Sequence, residues 1–102
     1  MKSLEQIRRQ LAAGEFEFSR HALKRAVERN ISDEEIRQAA QNVQMIEDYP
    51  EDKYSPSCLI FGLTNKKRPI HLQVSYADTP MVRIITLYEP DPDEWIEFRV
   101  RR

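Results

Sequence analysis

His21, Arg25 and Arg29 stand four residues apart. A step of four advances only about 40° around a helix axis, so a helix through them presents one imidazole and two guanidiniums as a stripe, with Lys24 and Glu28 beside it. His71 and Arg83 carry the same two chemistries further along the chain. Imidazole exchanges protons near neutral pH, and guanidinium binds phosphate through paired donors while staying charged. Together these side chains suit the stabilisation and protonation of a phosphodiester during transfer. RNA brings its own nucleophile, the 2′-hydroxyl, so a base, an acid and cations on the phosphoryl oxygens complete the chemistry. The products would be a 2′,3′-cyclic phosphate and a 5′-hydroxyl. A positioned acid or base contributes roughly 10²- to 10⁴-fold in rate, so two such groups and an arginine clamp make a useful enzyme without a cofactor.

Each residue also has a bland reading. His21 can be a surface polar residue, His71 a sheet residue with a satisfied ring nitrogen, and Arg25 and Arg29 solvated helix positions paired with Glu28 or the acidic segment. Arg83 lies inside Val82-Ile84-Ile85, where a guanidinium is costly unless it meets an anion, and an acid within the domain is its bland partner. Tyr76, Tyr88 and Trp95 can stack on bases or pack in a core. With only Gly14 and Gly62, no phosphate-cradling glycine loop can be built. Cys58, His21 and His71 are too scattered for a structural zinc site, and Glu47-Asp48 and Glu51-Asp52 read as a solvated strand end and loop. No metal or other cofactor is expected.

A length of 102 residues fits one domain around one core. The net charge of −1 argues against holding nucleic acid through global electrostatics alone. That total hides an asymmetry: residues 1–30 carry seven Lys/Arg against four Asp/Glu, residues 31–56 two against seven, and the remainder seven against six. Cys58 sits in the apolar run Cys58-Leu59-Ile60-Phe61 and reads as a buried thiol. Met1 to Gln10 lacks an apolar stretch of signal-peptide length and no window approaches a membrane span, so a cytoplasmic, membrane-free protein is expected.

These side chains need elements to position them. Ser3 with Gln6 forms a capping-box pattern, and Leu4, Ile7, Leu11 and Ala12 recur at helical spacing, which predicts a helix from Leu4 to Ala13 stopped by Gly14. Glu15 to Phe18 alternates briefly, and Ser19 caps a second helix, Arg20 to Arg29, in which Leu23, Ala26, Val27 and Asn30 share the side away from the stripe. Asn30 terminates it, and Ser32 with Glu35 opens a third helix from Asp33 to Gln41, with Ile36, Ala39 and Ala40 as its buried face. Val43 to Tyr49, Cys58 to Thr64, Ile70 to Tyr76 and Met81 to Tyr88 then read as strands joined by short turns, hence antiparallel neighbours in a meander. The last of these is nearly continuous in apolar character, as for a central strand covered on both faces. Asp93 to Phe98 fits either a short helix or a final edge strand. The fold class is α+β, with N-terminal helices packed on a four- to five-stranded antiparallel sheet.

The stretch from Phe18 to Ser32, then Ile46 to Asp52, Pro69-Ile70-His71, and Arg83 to Pro90 resembles a bacterial and archaeal family filed as domain of unknown function 4258. Its signature is an S-x-H-A-x-x-R-x-x-x-R helix followed by I-S, and a closing R-I-I-T-x-Y-E-P. That family is distantly similar to small ribonuclease toxins of the RelE and BrnT kind, although this chain lacks the strongly basic composition of RelE toxins. The resemblance implies a RelE-like arrangement, endoribonuclease activity, RNA as substrate, and a cognate antitoxin, a zinc-finger or helix-turn-helix protein encoded alongside. It further implies a catalytic set of His21, Arg25, His71, Arg83 and Tyr88, with Arg29 and Thr86 holding RNA, and the neighbouring helix cations Arg20 and Lys24 are expected to bind RNA beside them. A module of the same fold that binds protein or nucleic acid without catalysis is the alternative. Catalysis predicts convergence of His21, Arg83 and a third polar residue on one cleft; a binding module predicts that they scatter or are neutralised by internal acids.

Overall fold

The computed structural model describes all residues, 1–102. Helix α1 spans Leu4–Ala12, β1 Phe16–Phe18, α2 Arg20–Glu28 and α3 Asp33–Ala40. Strands β2 (Gln44–Tyr49), β3 (Ser57–Leu63), β4 (Pro69–Ser75) and β5 (Val82–Tyr88) follow, and the short β6 (Trp95–Ile96) and β7 (Val100–Arg101) close the chain. Both capping boxes form, at Ser3/Gln6 and Ser32/Glu35, and Asn30 takes the left-handed conformation that ends α2. No helix is long and apolar enough to cross a membrane.

The main sheet has the order β1-β5-β4-β3-β2, and β2 to β5 form the antiparallel meander expected from their short connectors. The alternating Phe16-Glu17-Phe18 adds a fifth strand parallel to β5, with Phe16 opposite Val82 and Phe18 opposite Ile84. All three helices lie on one side of the sheet, and their apolar faces share one core with Cys58, Ile60, Ile70, Leu72, Val74, Val82, Ile84 and Leu87. Gly62 is where α3 comes closest: a Cβ there would lie 2.1 Å from the Ala39 carbonyl oxygen.

Two expectations are corrected, and the choice left open for the tail is decided. The side of α2 that enters the core is Ala22 and Ala26, while Leu23 and Val27 are 53% and 74% exposed. Two alanines let the helix backbone settle close to β5, and this rotates the larger apolar residues outward. Strand β5 is covered on one face only, with Val82, Ile84 and Leu87 buried and Arg83 exposed. Its apolar run is continuous because a bulge between the Gln73–Thr86 and Val74–Ile84 pairs inserts Ile85 and shifts the alternation. In the tail a short strand forms and the helix does not. Trp95 and Glu94 close a single turn on the Asp91 carbonyl, after which Glu97 (φ 50°) and Phe98 (φ 61°) reverse the chain into the hairpin β6–β7. This hairpin lies on the sheet face that the helices leave open.

Candidate functional site

The cap of α2 fixes the helix to β5: the Ser19 N–H donates to the Ile84 carbonyl at 3.0 Å and its hydroxyl to the Ile85 carbonyl at 3.1 Å. From that start Arg20, His21 and Lys24 are exposed, and their side chains engage no hydrogen-bonding partner. Arg25 pairs with Glu28 at 2.8 Å. Arg29, at the far end, donates from Nη1 to the Leu87 carbonyl at 2.7 Å and meets no carboxylate. Arg83 finds its internal acid in Glu17, its cross-strand neighbour, at 3.2 Å with both side chains half exposed.

His71 and Tyr88 are paired residues of β4 and β5 on the open face. His71 is fully buried, its Nε2 2.7 Å from the Phe98 carbonyl oxygen and its Nδ1 3.2 Å from the Tyr88 hydroxyl. A carbonyl only accepts, so Nε2 carries the proton, and in the neutral ring Nδ1 accepts from the Tyr88 O–H. Burial lowers the His71 pKa, against the opposing pull of the Phe98 carbonyl and the Glu47 charge. Burial likewise raises the Tyr88 pKa. The pair is therefore neutral at physiological pH, with Tyr88 as the half-buried partner that reaches the surface. Thr86, two pairs further along, stands opposite Gln73, whose amide donates to Asp52 at 3.2 Å and Ser57 at 3.1 Å.

Tyr88 opens into a surface cleft that it shares with Arg29, Arg68, Glu89, Asp91 and Glu94. Arg68 is fully engaged: Nε on Glu89 at 2.7 Å, Nη1 on Glu35 at 2.9 Å and on the Asn30 carbonyl at 2.9 Å, and Nη2 on the Arg29 carbonyl at 3.0 Å. It ties the end of α2, the start of α3 and the end of β5 together. Desolvation raises the Glu35 carboxyl, but the Ser32 N–H and Arg68 outweigh it and hold its pKa below the ordinary range. Of the residues singled out in the sequence, the structure thus brings Arg29 and Tyr88 to one cleft with His71 directly behind. His21, Arg25, Arg83, Thr86, Arg20 and Lys24 do not line it.

Sequence reasoning missed a second cluster on the open face. Glu47 accepts from Arg101 at 2.8 and 3.2 Å and from the Tyr49 hydroxyl, and the Arg101 guanidinium lies 4.6 Å from the Trp95 ring centre. Glu47 is accordingly no solvated strand end. Desolvation raises its carboxyl, and Arg101 and Tyr49 together lower it below the ordinary range. Burial, then the Glu47 bond, pushes the Tyr49 phenol up to about 12. The Trp95 ring meets His71 edge-on at 4.5 Å, so the hairpin both covers the imidazole and is pinned by this ion pair. Asp52, also read as solvated, is half-buried and accepts from Gln73 and Ser57. The available signal was alternation: Arg99-Val100-Arg101 is a basic strand pattern with no acid of its own, and Gln44 and Glu47 receive those two arginines.

Fold and site define a small α+β protein with three helices on one side of a five-stranded, mostly antiparallel sheet and a Tyr–His pair on the other. A family model described as "Domain of unknown function (DUF4258)" matches residues 18–89, more than two thirds of the 102-residue chain. The chain belongs to that family. No curated protein and no solved structure matches it.

Proposed function

We propose that the protein is a metal-independent endoribonuclease acting at the Tyr88 cleft. The observation that carries this reading is the meeting of Arg29, a guanidinium outside any ion pair, with a Tyr88 hydroxyl fixed by the buried His71. Arg29 is the cation for the phosphoryl oxygens. A phenol whose pKa is raised stays protonated at neutral pH, which fits Tyr88, once its O–H turns from His71 Nδ1 to the substrate, as the acid that protonates the leaving 5′ oxygen. Glu94, a cleft carboxylate outside any ion pair, is the base for the 2′-hydroxyl. Attack of that oxygen on phosphorus breaks the P–O5′ bond and leaves a cyclic phosphate, and solvent reprotonates Tyr88 as Glu94 gives up its proton. His71 touches no substrate and acts as a positioning residue. The likeness to RelE and BrnT toxins extends the proposal to a growth-arresting toxin in the cytoplasm, held in check by a cognate antitoxin of zinc-finger or helix-turn-helix type.

The test is incubation of purified protein with a single-stranded RNA, resolving fragments and their termini. Wild type should give 2′,3′-cyclic phosphate ends, and Tyr88→Phe and Arg29→Ala should each lower the rate roughly 10²-fold without loss of soluble yield. Intact RNA with folded wild-type protein would overturn the reading. A second reading, a non-catalytic binding module, is favoured by Arg25 and Arg83 being neutralised by Glu28 and Glu17, the pattern expected of such a module. It predicts intact RNA in that assay and unchanged growth when the protein is induced in a bacterial host.

A further inference from the structure

The Tyr88 cleft carries three carboxylates against two guanidiniums, so it favours a single phosphate beside Arg29 but not a run of them. A second cleft, between the end of α3, strand β3 and the turn that follows it, has the opposite character. It holds about 520 Å³, within the roughly 300–1,000 Å³ typical of small-molecule sites, and no Asp or Glu lines it. Its cations are Lys67 and Arg99. Lys67 forms no ion pair, and Arg99 is held over the Phe61 ring at 5.0 Å, with Nε on Gln44 at 2.7 Å and Nη1 on the Glu97 carbonyl at 2.9 Å. Its Nη2 is left free.

The same cleft is rich in side-chain amides. Gln41, Asn42 and Asn65 line it, and none of their side-chain amides is engaged within the protein. An amide offers a donor pair and an acceptor side by side, the complement of a nucleobase edge. Gln41 and Asn42 bring their amides from the end of α3, Asn65 brings one from the turn it shares with Lys67, and Arg99 brings its cation from the C-terminal hairpin. Gln38 fixes the far wall, its side-chain oxygen accepting from the Asn65 N–H at 3.0 Å.

We propose that this cleft is a nucleotide subsite for single-stranded RNA, with Lys67 and Arg99 on phosphate and Gln41, Asn42 and Asn65 reading an unpaired base. The inference rests on the RNA reading above and adds the place where the strand is held away from the cleaved bond. It accounts for a neutral protein handling a polyanion: affinity is concentrated in an acid-free cleft and is not spread over the surface.

The probe is a short, end-labelled single-stranded RNA bearing 2′-O-methyl groups, which cannot be cleaved, titrated against the full chain by fluorescence anisotropy at several salt concentrations. Lys67→Gly is the first variant, because Lys67 has a φ of 68° that glycine adopts without strain, so the fold is retained. It should weaken binding about threefold to tenfold and lower the salt slope by about one. Asn42→Ala and Asn65→Ala should weaken binding about tenfold while leaving the slope unchanged. Side-chain amide resonances of Gln41, Asn42 and Asn65 should shift on adding the probe. Unchanged affinity in all three variants, or no binding by wild type, overturns the subsite. Cleavage of ordinary RNA is judged separately, so loss of the subsite leaves the ribonuclease reading standing, and absence of cleavage alongside specific binding removes catalysis alone.

Discussion

At the scale of single residues, His71 was legible as a histidine facing a task, and its neighbour Tyr88 as a motif residue, but not that a backbone carbonyl from 27 residues away would fix the imidazole's tautomer. That contact depends on how the tail folds back. Arg83 was legible in kind, since an internal acid was its expected bland partner, yet its half-exposed position follows from the open face and not from its apolar flanks. Burial of His71 has a consequence for pH. Its folded pKa lies below the ordinary 6.5, so the unfolded chain binds the proton first as pH falls. Stability from this group is present above about 6.5 and lost on descending toward the folded value. Glu35 and Glu47, depressed from 4.5, contribute their own loss only at lower pH, which separates the two effects. Thermal unfolding midpoints should therefore fall between pH 7 and 5 in wild type and stay flatter in His71→Gln, which can keep both hydrogen bonds but does not titrate. Parallel profiles for the two proteins would show that burial of His71 is not linked to folding.

At the scale of elements, the helix starts were legible because capping is local: Ser3, Ser19 and Ser32 each cap a helix by accepting from the backbone N–H three residues on. Which face of α2 is buried was not legible, because helical spacing groups Leu23 with Val27 as readily as Ala22 with Ala26, and only the closeness of β5 decides between them. The bulge at Ile85 was hidden for a related reason, since a phase shift in an apolar run looks like two buried faces. Close approach also governs α3 on β3. A methyl group at Gly62 would meet the Ala39 carbonyl at 2.1 Å, and neither backbone can yield without moving the helix. Gly62→Ala should cost about 1–3 kcal/mol in denaturant unfolding, in line with overpacked core positions. Gly14→Ala, where the nearest atoms are the flexible Arg37 side chain at 3.7 Å, is the comparison: its penalty comes from a φ of 78° alone. An unchanged midpoint for Gly62→Ala would mean that α3 slides easily over the sheet.

For the whole molecule, composition showed near-neutrality but not how charge is partitioned, because the acid-free cleft and the acid-lined one are assembled from distant segments. The same non-local assembly places the C-terminal hairpin on the open sheet face, where two residues per strand cannot hold it unaided. Its attachment depends on the Glu47–Arg101 pair, the Arg101 stacking on Trp95, the Arg99–Gln44 bond and the Phe98 carbonyl on His71. The core of β3 and β4, by contrast, has helices on one side and ladder partners on both edges. The hairpin should then open on its own, well before global unfolding, as low-contact segments do. Removing Arg101 deletes an exposed ion pair and a cation–π contact, together about 1–2 kcal/mol, so hairpin amides in Arg101→Ala should exchange hydrogen about tenfold faster. Amides of β3 and β4 should keep their wild-type rates. Trp95 fluorescence in the variant should be quenched more readily by acrylamide, since the indole leaves His71 when the hairpin opens. Equal acceleration at the hairpin and in β3–β4 would mean that the tail is part of the cooperative core, and opening of the open face would then require unfolding the protein.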